Sequence, residues 1–167
     1  MNKIFLIAQN IRSLFNIGSL FRSADVFGVS KIYLCGYTAT PPNPKIEKVS
    51  LGAENFVPWE KYWQTHLLID KLKSQGVKIY ALETGKGTKN LTTFKPQFPC
   101  ALVVGNEVKG ISKKILSQAD AIISIPMLGQ KESLNVAIAG SVALYEFSKK
   151  KLNASLYLPI ESYKINS

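Results

Sequence analysis

The sequence predicts a single α/β domain in which helices flank a mostly parallel sheet. Short apolar segments alternate with stretches of helical periodicity along most of the 167 residues, an order typical of βαβ units. The segment CALVVG at 100–105 is continuously apolar, as expected of a parallel strand buried on both faces. The length suits one domain with a substantial core.

The first elements are predicted to form a strand–helix–strand unit, with strands at 3–9 (KIFLIAQ) and 31–35 (KIYLC). Between them, apolar residues recur at three- and four-residue steps and mark a buried helix face; they are Leu14, Ile17, Phe21 and Ala24. Gly28 is a typical helix stop. Gly18 costs about 1 kcal/mol relative to alanine inside a helix, so another backbone or a ligand is expected to approach it closely.

The middle of the chain is richer in loops. Residues 37–58, which include YTATPPNPK, are predicted to form a long functional loop with one short helix. A polar helix is expected over about 60–75 and ends at Gly76. The next strand is VKIYALE at 77–83, and a loop rich in lysine and threonine follows it.

The last third continues the alternation. Ser112 is predicted to cap a short helix, KKILSQ, and AIISIP at 121–126 is a further strand. A final helix is expected from about Leu134 to Lys150 and is apolar nearly all round. Such a helix must be buried on more than one side, so it either crosses the core or forms a subunit interface.

Residues 1–150 are expected to form the domain, and 151–167 a C-terminal tail without clear periodicity. No apolar run approaches the roughly 20 residues of a membrane span, and no signal peptide is recognisable, so a cytoplasmic protein without membrane contact is expected. Cys35 and Cys100 lie in apolar strands, and the single histidine, His66, stands among leucines. No metal site is therefore expected, and buried reduced thiols are the simplest account.

The formal net charge of +10 indicates a polyanionic partner, of which nucleic acid is the usual one. The alternative is a lysine-biased proteome that gives every protein a high pI. Only two of the 21 basic residues are arginines, Arg12 and Arg22, and they flank Asn16. A guanidinium matches phosphate oxygens in a bidentate way, so this segment is a candidate phosphate site. The alternative is that the two arginines stand together by chance and serve packing, with one of them as an ion-pair partner of Asp25.

Two segments of the chain, at 16–22 and 105–112, carry polar side chains suited to chemistry. Asn16, Ser19 and Arg22 are three residues apart and form a slanted polar row on one helix side. GNEVKGIS at 105–112 directly follows the buried strand, where ligands bind in open α/β sheets, and it places Glu107 there. A simple strand-to-helix turn is the alternative for this second segment.

The third segment is IPMLGQKESLN at 125–135, which follows another strand and opens the final helix. Ser133 or Asn135 could serve only to cap that helix. Neither a GxGxxG nor a Walker-type motif is present, so a dinucleotide-binding oxidoreductase domain is disfavoured.

Together, NIRSLFNIGSLFRSADVFGV, LVVGNEVKGIS and ISIPMLGQKESLNVAIAGSVALYEF resemble, in this order, the three signature blocks of the SpoU/TrmH family. These proteins are RNA 2′-O-ribose methyltransferases of the SPOUT superfamily, and the resemblance spans about residues 3–150. It implies a deep C-terminal trefoil knot, S-adenosylmethionine as the methyl donor and an obligate homodimer. Periodicity alone would not reveal a knot, because knots are rare exceptions to normal connectivity.

Carried over position by position, the resemblance implies a set of catalytic side chains: Asn16, Arg22, Glu107, Ser133 and Asn135. It also implies a cofactor pocket built by the loops at the carboxyl ends of strands, through Leu82, Gly105, Ile125, Met127 and Leu134. RNA contacts are expected from Asn10, Arg12, Lys45 and Lys109.

The implied reaction moves a methyl group to a ribose 2′-hydroxyl of tRNA or rRNA by in-line displacement. Family proposals make Arg22 the general base, but a guanidinium stays protonated at neutral pH. A milder hypothesis is that Arg22 grips the adjacent phosphate and stabilises charge on the 2′-oxygen. The alternative function is a catalytically inactive knotted RNA-binding protein, against which the presence of all five polar residues argues.

Overall fold

The computed structural model describes residues 2–152 of the chain. The strands are β1 (Ile4–Gln9), β2 (Lys31–Cys35), β3 (Trp59–Tyr62), β4 (Lys78–Leu82), β5 (Lys89–Asn90), β6 (Cys100–Val104) and β7 (Ala121–Ser124). The helices are α1 (Leu14–Val26), α2 (Pro44–Ser50), α3 (Ala53–Phe56), α4 (Thr65–Ser74), α5 (Lys113–Gln118) and α6 (Val136–Leu152).

All seven strands form one sheet in the order β3-β2-β1-β6-β4-β7-β5. Every pairing in it is parallel, which confirms the predicted α/β class. Because the strands are parallel, all their carboxyl ends lie at the same edge of the sheet. Residues that follow different strands in the sequence therefore meet at that edge.

The sheet has a hydrophobic cluster on each face. Along β6, Leu102 belongs to the cluster beneath α1 and α6, whereas its neighbour Val103 belongs to the cluster beneath α4 and α5. All five residues of β6 are buried, so the prediction of a strand covered on both faces is confirmed. Helices on both faces are what a parallel sheet requires.

Helix α1 begins after Ser13, whose hydroxyl accepts a hydrogen bond from the backbone N–H of Asn16 at 3.3 Å. Its interior glycine, Gly18, faces α2: a Cβ there would lie 2.6 Å from the carbonyl oxygen of Ile46. The expected close approach is thus that of a backbone. Gly28 has a φ of +63° just after the helix ends, as predicted for a helix stop.

The region between β2 and β4 differs from the prediction. Residues 37–58 contain two short helices, α2 and α3, where one was expected. The predicted helix over 60–75 begins only at Thr65, and its expected first residues belong to β3. All four residues of β3 are half-buried, so this edge strand has no apolar pattern that distinguishes it from a polar helix. Pairing with β2 decides its conformation.

Helix α6 starts two residues later than predicted and does not cross the core. One face packs on α1, where the Ser23 and Ser141 hydroxyls lie 2.6 Å apart. An adjacent face leaves large apolar side chains exposed: Ile138, Val142 and Tyr145. The predicted tail begins inside α6 at Lys151, and its residues 153–167 lie outside the described residues. No helix in the described chain is long and apolar enough to cross a membrane.

Candidate active site

A cavity of about 450 Å³ opens at the carboxyl ends of β4, β6 and β7. Its size suits a small-molecule site, and open α/β sheets bind ligands at this edge. All five residues predicted to hold the cofactor line it: Leu82, Gly105, Ile125, Met127 and Leu134. The fold thus brings three separate segments of the sequence to one cavity.

One wall of the cavity is a tightly packed loop after β6. A Cβ on Gly105 would lie 2.6 Å from the backbone nitrogen of Ile111, and one on Gly110 would clash with the Glu83 carboxylate. Glu83 accepts hydrogen bonds from the backbone N–H groups of Ile111 at 2.9 Å and Thr84 at 3.0 Å. The bond to Ile111 fastens the loop to the end of β4. Close backbone packing requires Gly105, and the φ of +64° favours glycine at position 110.

Sequence reasoning missed three polar residues that line the cavity: Glu83, Thr84 and Asn106. Asn106 accepts hydrogen bonds from the backbone N–H groups of Val108 and Lys109 through Oδ1, and donates through Nδ2 to the Tyr37 hydroxyl at 2.8 Å. The available signal was position, because Glu83 is the last residue of the predicted strand at 77–83 and Asn106 directly follows the predicted strand at 100–105.

Side chains from all three motif segments are joined by hydrogen bonds beside the cavity. Asn135 donates through Nδ2 to Asn16 Oδ1 at 3.2 Å. Asn16 in turn donates through Nδ2 to Glu107 Oε1 at 3.0 Å. We call these three residues the asparagine–glutamate chain. Residues from α1, the loop after β6 and the start of α6 are therefore held in one arrangement.

Glu107 ends this chain at the start of α1. Its carboxylate accepts from the backbone N–H of Arg12 at 3.0 Å and of Ser13 at 2.9 Å. Burial by itself would raise the pKa of Glu107, but the hydrogen bonds from Arg12, Ser13 and Asn16 outweigh it and lower the pKa. Glu107 is thus an ionised acceptor that anchors the helix N-terminus.

Asn135 starts the chain at α6. Its Oδ1 accepts from the backbone N–H groups of Ala137 at 2.9 Å and Ile138 at 3.2 Å, so the predicted cap by Asn135 is confirmed. Ser133 lies exposed at the cavity. Ser112 is the N-cap residue of α5, as predicted, but its side chain makes no capping bond and instead accepts a hydrogen bond from Gln9 Nε2.

The pattern of the SpoU rRNA Methylase family matches residues 3–145. The chain belongs to this family. The curated tRNA (guanosine(18)-2′-O)-methyltransferase of Aquifex aeolicus is 32% identical over 155 residues, which cover 92% of this chain and 72% of that protein.

Solved structures of the family agree with the fold. The SpoU methyltransferase AviRb from Streptomyces viridochromogenes, in complex with the cofactor AdoMet, is 27% identical with a TM-score of 0.81 and covers 90% of this chain. The AdoMet-bound rRNA methyltransferase from Sinorhizobium meliloti is 27% identical with a TM-score of 0.83 and covers 89%. This chain spans 60% and 57% of the length of those two chains.

The arginine predicted to be catalytic, Arg22, lies apart from the cavity of its own chain. It is exposed on α1, six residues beyond Asn16, and is not among the cavity-lining residues. Within residues 2–152, neither Arg22 nor Arg12 forms an ion pair with Asp25. In this SpoU-family chain both guanidinium groups are exposed.

The residues predicted to contact RNA are placed unequally. The side chains of Arg12, Lys45 and Lys109 are exposed. Asn10 is half-buried and holds a turn of the protein: its φ is +56°, and its Oδ1 accepts from the backbone N–H of Tyr37 at 3.2 Å. The amide oxygen of Asn10 is therefore already engaged in a hydrogen bond within the protein.

Both cysteines are buried and free, as predicted. Burial raises the pKa of each thiol to about 12, chiefly by desolvation, so Cys35 and Cys100 are inert. Among residues 2–152, no group of three or more His, Cys, Asp or Glu side chains is placed to hold a metal ion.

Proposed function

We propose that this chain is an S-adenosylmethionine-dependent RNA methyltransferase that modifies a ribose 2′-hydroxyl of tRNA or rRNA in the cytoplasm. The observation that carries the proposal is the asparagine–glutamate chain at the edge of the cavity. It joins polar residues of all three family motifs. A fold that kept only RNA binding would have no need of this arrangement beside a small-molecule cavity.

The cavity fits the proposed cofactor in size and in the chemistry of its walls. Apolar side chains from the three loops suit an adenine ring and a methionine chain; they are Leu82, Ile125, Met127 and Leu134. Glu83, Thr84 and Asn106 add polar groups to the lining. When bound, S-adenosylmethionine supplies an electrophilic methyl group.

The asparagine–glutamate chain positions the start of α1 relative to the cavity. Glu107 holds the backbone at Arg12 and Ser13, and Asn135 holds Asn16 from the other side. Fixed side chains of this kind keep an acceptor hydroxyl oriented and reduce the reorganisation needed in the reaction. Ser133, exposed at the cavity, is proposed to contact the incoming ribose or its phosphate.

Arg22 is proposed to bind the phosphate beside the target ribose and to stabilise negative charge on the 2′-oxygen as its proton leaves for water. Its side chain has no hydrogen-bond or ion-pair partner among the described residues, so the planar fork of donors is available. A protonated guanidinium can stabilise negative charge on the 2′-oxygen, whereas it is poorly suited to accept a proton as a general base.

In a homodimer, Arg22 of one protomer is proposed to lie at the cavity of its partner. Exposed apolar side chains on α1 and α6 form one stripe: Phe15, Val26, Ile138, Val142 and Tyr145. On α1, Phe15, Ser19, Arg22 and Val26 follow one another at helical steps along one face. A second copy covering this stripe would bury it and place Arg22 against the partner, where the partner's cavity is proposed to lie.

The deep trefoil knot also belongs to this proposal. Strand β4 lies between β6 and β7, both of which follow it in the sequence, and α6 returns to pack on α1. This crossing order supports a knotted path for the C-terminal part of the domain. The domain is proposed to span residues 1–150. Helix α6 continues for two further residues, to Leu152.

The experiment combines cofactor binding with RNA mapping. Isothermal titration with S-adenosylhomocysteine is expected to show binding, and cells lacking the gene are expected to lose a 2′-O-methyl group from tRNA or rRNA. Arg22→Ala is expected to keep cofactor binding and lose turnover, with partial rescue by guanidine. Absence of cofactor binding would instead favour the inactive RNA-binding alternative.

A further inference from the structure

We propose that Tyr37 and Trp63 form a stacking platform for unpaired bases of the RNA, so that this chain takes a single-stranded loop and not a duplex. The inference rests on the proposed function, because it specifies how the RNA substrate is held. Both residues directly follow strands at the carboxyl edge: Tyr37 comes two residues after β2, and Trp63 one residue after β3. The cavity opens at the same edge.

Trp63 is 73% exposed, although burying an indole is among the largest stabilising contributions a side chain can make. The Lys61 ammonium lies 4.6 Å from the centre of its ring, a cation–π contact. One face of the indole is therefore held by a cation, and the ring remains largely open to solvent. An exposed, held aromatic ring is what base stacking uses.

Lys61 also ties Trp63 to the turn that carries Tyr37. Its ammonium donates to the carbonyl oxygen of Gly36 at 2.6 Å and to that of Thr38. These two carbonyls flank Tyr37 in the sequence. The Trp63 ring and the backbone on either side of Tyr37 thus meet at one ammonium group, which holds the Trp63 ring beside the turn that carries Tyr37.

Tyr37 is 57% exposed, and its hydroxyl is fastened to the cavity. The hydroxyl accepts from Asn106 Nδ2 at 2.8 Å, and Asn106 lines the cavity. The backbone N–H of Tyr37 donates to Asn10. The platform is therefore joined by direct hydrogen bonds to the loop that is proposed to hold the cofactor.

The strand order β3-β2-β1-β6 gives the sequence of groups along this edge: Trp63, Tyr37, Arg12 and then the cavity. Three strand spacings amount to about 14 Å, a distance that a few nucleotides of a single strand can span. Arg12 supplies a phosphate-binding group between the platform and the cavity. The net charge of +10 favours a polyanion over a protein at this surface.

An aromatic platform discriminates between forms of RNA. Bases in an A-form duplex are stacked on each other, and their faces cannot reach a side chain, whereas loop bases can be splayed out. The platform is therefore expected to select a loop that presents an unpaired base a few nucleotides from the modified ribose.

Tryptophan fluorescence tests this directly, because the chain has two tryptophans. Trp59 packs against the core, and Trp63 is exposed. In the Trp59→Phe variant, a single-stranded oligoribonucleotide is expected to quench the emission, and a duplex of equal length much less. In the Trp63→Phe variant, the single strand is expected to leave the emission of Trp59 unchanged.

Affinity measurements separate stacking from charge. Trp63→Ala is expected to weaken single-strand binding about tenfold without changing its salt dependence, while Trp63→Phe retains most of the affinity. Lys109→Ala is expected to lower the slope of log affinity against log salt by about one. Phe56→Ala, an exposed aromatic before β3 at the opposite edge, is the matched control and is expected to bind like the parent.

The outcomes distinguish a failure of the stacking-platform proposal from a failure of the proposed methyltransferase activity. If the parent binds S-adenosylhomocysteine and methylates RNA while Trp63 emission stays unchanged, the platform is wrong and the enzyme proposal stands. A Trp63→Ala variant that alters the oligomeric state but not RNA affinity would assign this surface to a protein contact, which also overturns it. Failure of cofactor binding and methylation, with RNA still quenching Trp63, would overturn the enzyme proposal alone.

Discussion

Asn135 Nδ2 donates a hydrogen bond to Asn16 Oδ1 at 3.2 Å, across 119 positions of sequence. The orientation of both amides follows from their neighbours. Asn135 Oδ1 must face the α6 N–H groups, which turns its Nδ2 toward Asn16. Asn16 must then accept from Asn135 and donate to Glu107, which can only accept once ionised.

The Asn135→Asp variant distinguishes the capping of α6 by Asn135 from the hydrogen bond that Asn135 donates to Asn16. An aspartate keeps an oxygen for the helix N–H groups but presents a second oxygen to Asn16 Oδ1, where a donor is needed. We expect stability to change little and methyl transfer to fall by about tenfold or more. Asn135→Ala is the control, since it removes cap and link together and should also lose about 1 kcal/mol of stability in urea unfolding. Equal activity of Asn135→Asp and the parent would contradict the positioning role.

Glu107 should make stability depend on pH. Its pKa in the folded chain lies below the ordinary value of 4.5, so the unfolded chain takes up this proton first as the pH falls. The stabilisation is therefore present above about pH 4.5 and is lost as the pH falls through the lowered pKa. We expect Glu107→Gln to be less stable than the parent at pH 7, and this difference to shrink toward pH 3.5 in urea unfolding.

The control for this pH dependence is Glu132→Gln. Glu132 is exposed and has no hydrogen-bond partner among the described residues. Its substitution should give the same unfolding free energy as the parent at both pH values. A difference for Glu107→Gln that did not vary with pH would show that the ionised carboxylate contributes nothing of its own.

Gly18→Ala tests the contact between α1 and α2. Alanine gains about 1 kcal/mol of helix propensity, but its Cβ would lie 2.6 Å from the Ile46 carbonyl oxygen and 2.9 Å from Val49 Cβ. Backbone cannot move aside as a side chain can, so we expect net destabilisation of about 1–3 kcal/mol and a lower Tm. At Gly129, where a Cβ would meet nothing within 4 Å, the same substitution should leave Tm unchanged.

Ile138→Asp tests the proposed dimer. Ile138 lies in the exposed stripe of α6, and a charge there would be buried without a partner in an interface. We expect the parent to have the mass of two chains in light scattering and the variant that of one, with methylation lost. Leu67→Asp on α4, an exposed apolar residue away from the stripe, should leave the mass unchanged. A monomeric parent would contradict the proposal.

Long or fully buried elements were predictable, and short edge elements were not. The strand at β6 and the helix at α1 have apolar patterns whose burial follows directly from periodicity. The four residues of β3 and the two of β5 have no such pattern, because an edge strand is covered on fewer sides. The five residues predicted to hold the cofactor were expected at one cavity from the family motifs that carry them, whereas Glu83 and Asn106 were missed because single polar residues at the ends of strands are common.

By itself, the sequence determined the α/β class, the three motif segments and the family, since local patterns and ordered motifs are properties of the chain alone. It also indicated a close backbone approach at Gly18. The three-dimensional fold was needed to establish that Glu107 anchors the start of α1, that Asn16 and Asn135 pair, and that Arg22 lies outside its own chain's cavity. These facts depend on strand order and on hydrogen bonds between residues about a hundred positions apart, which no local pattern encodes.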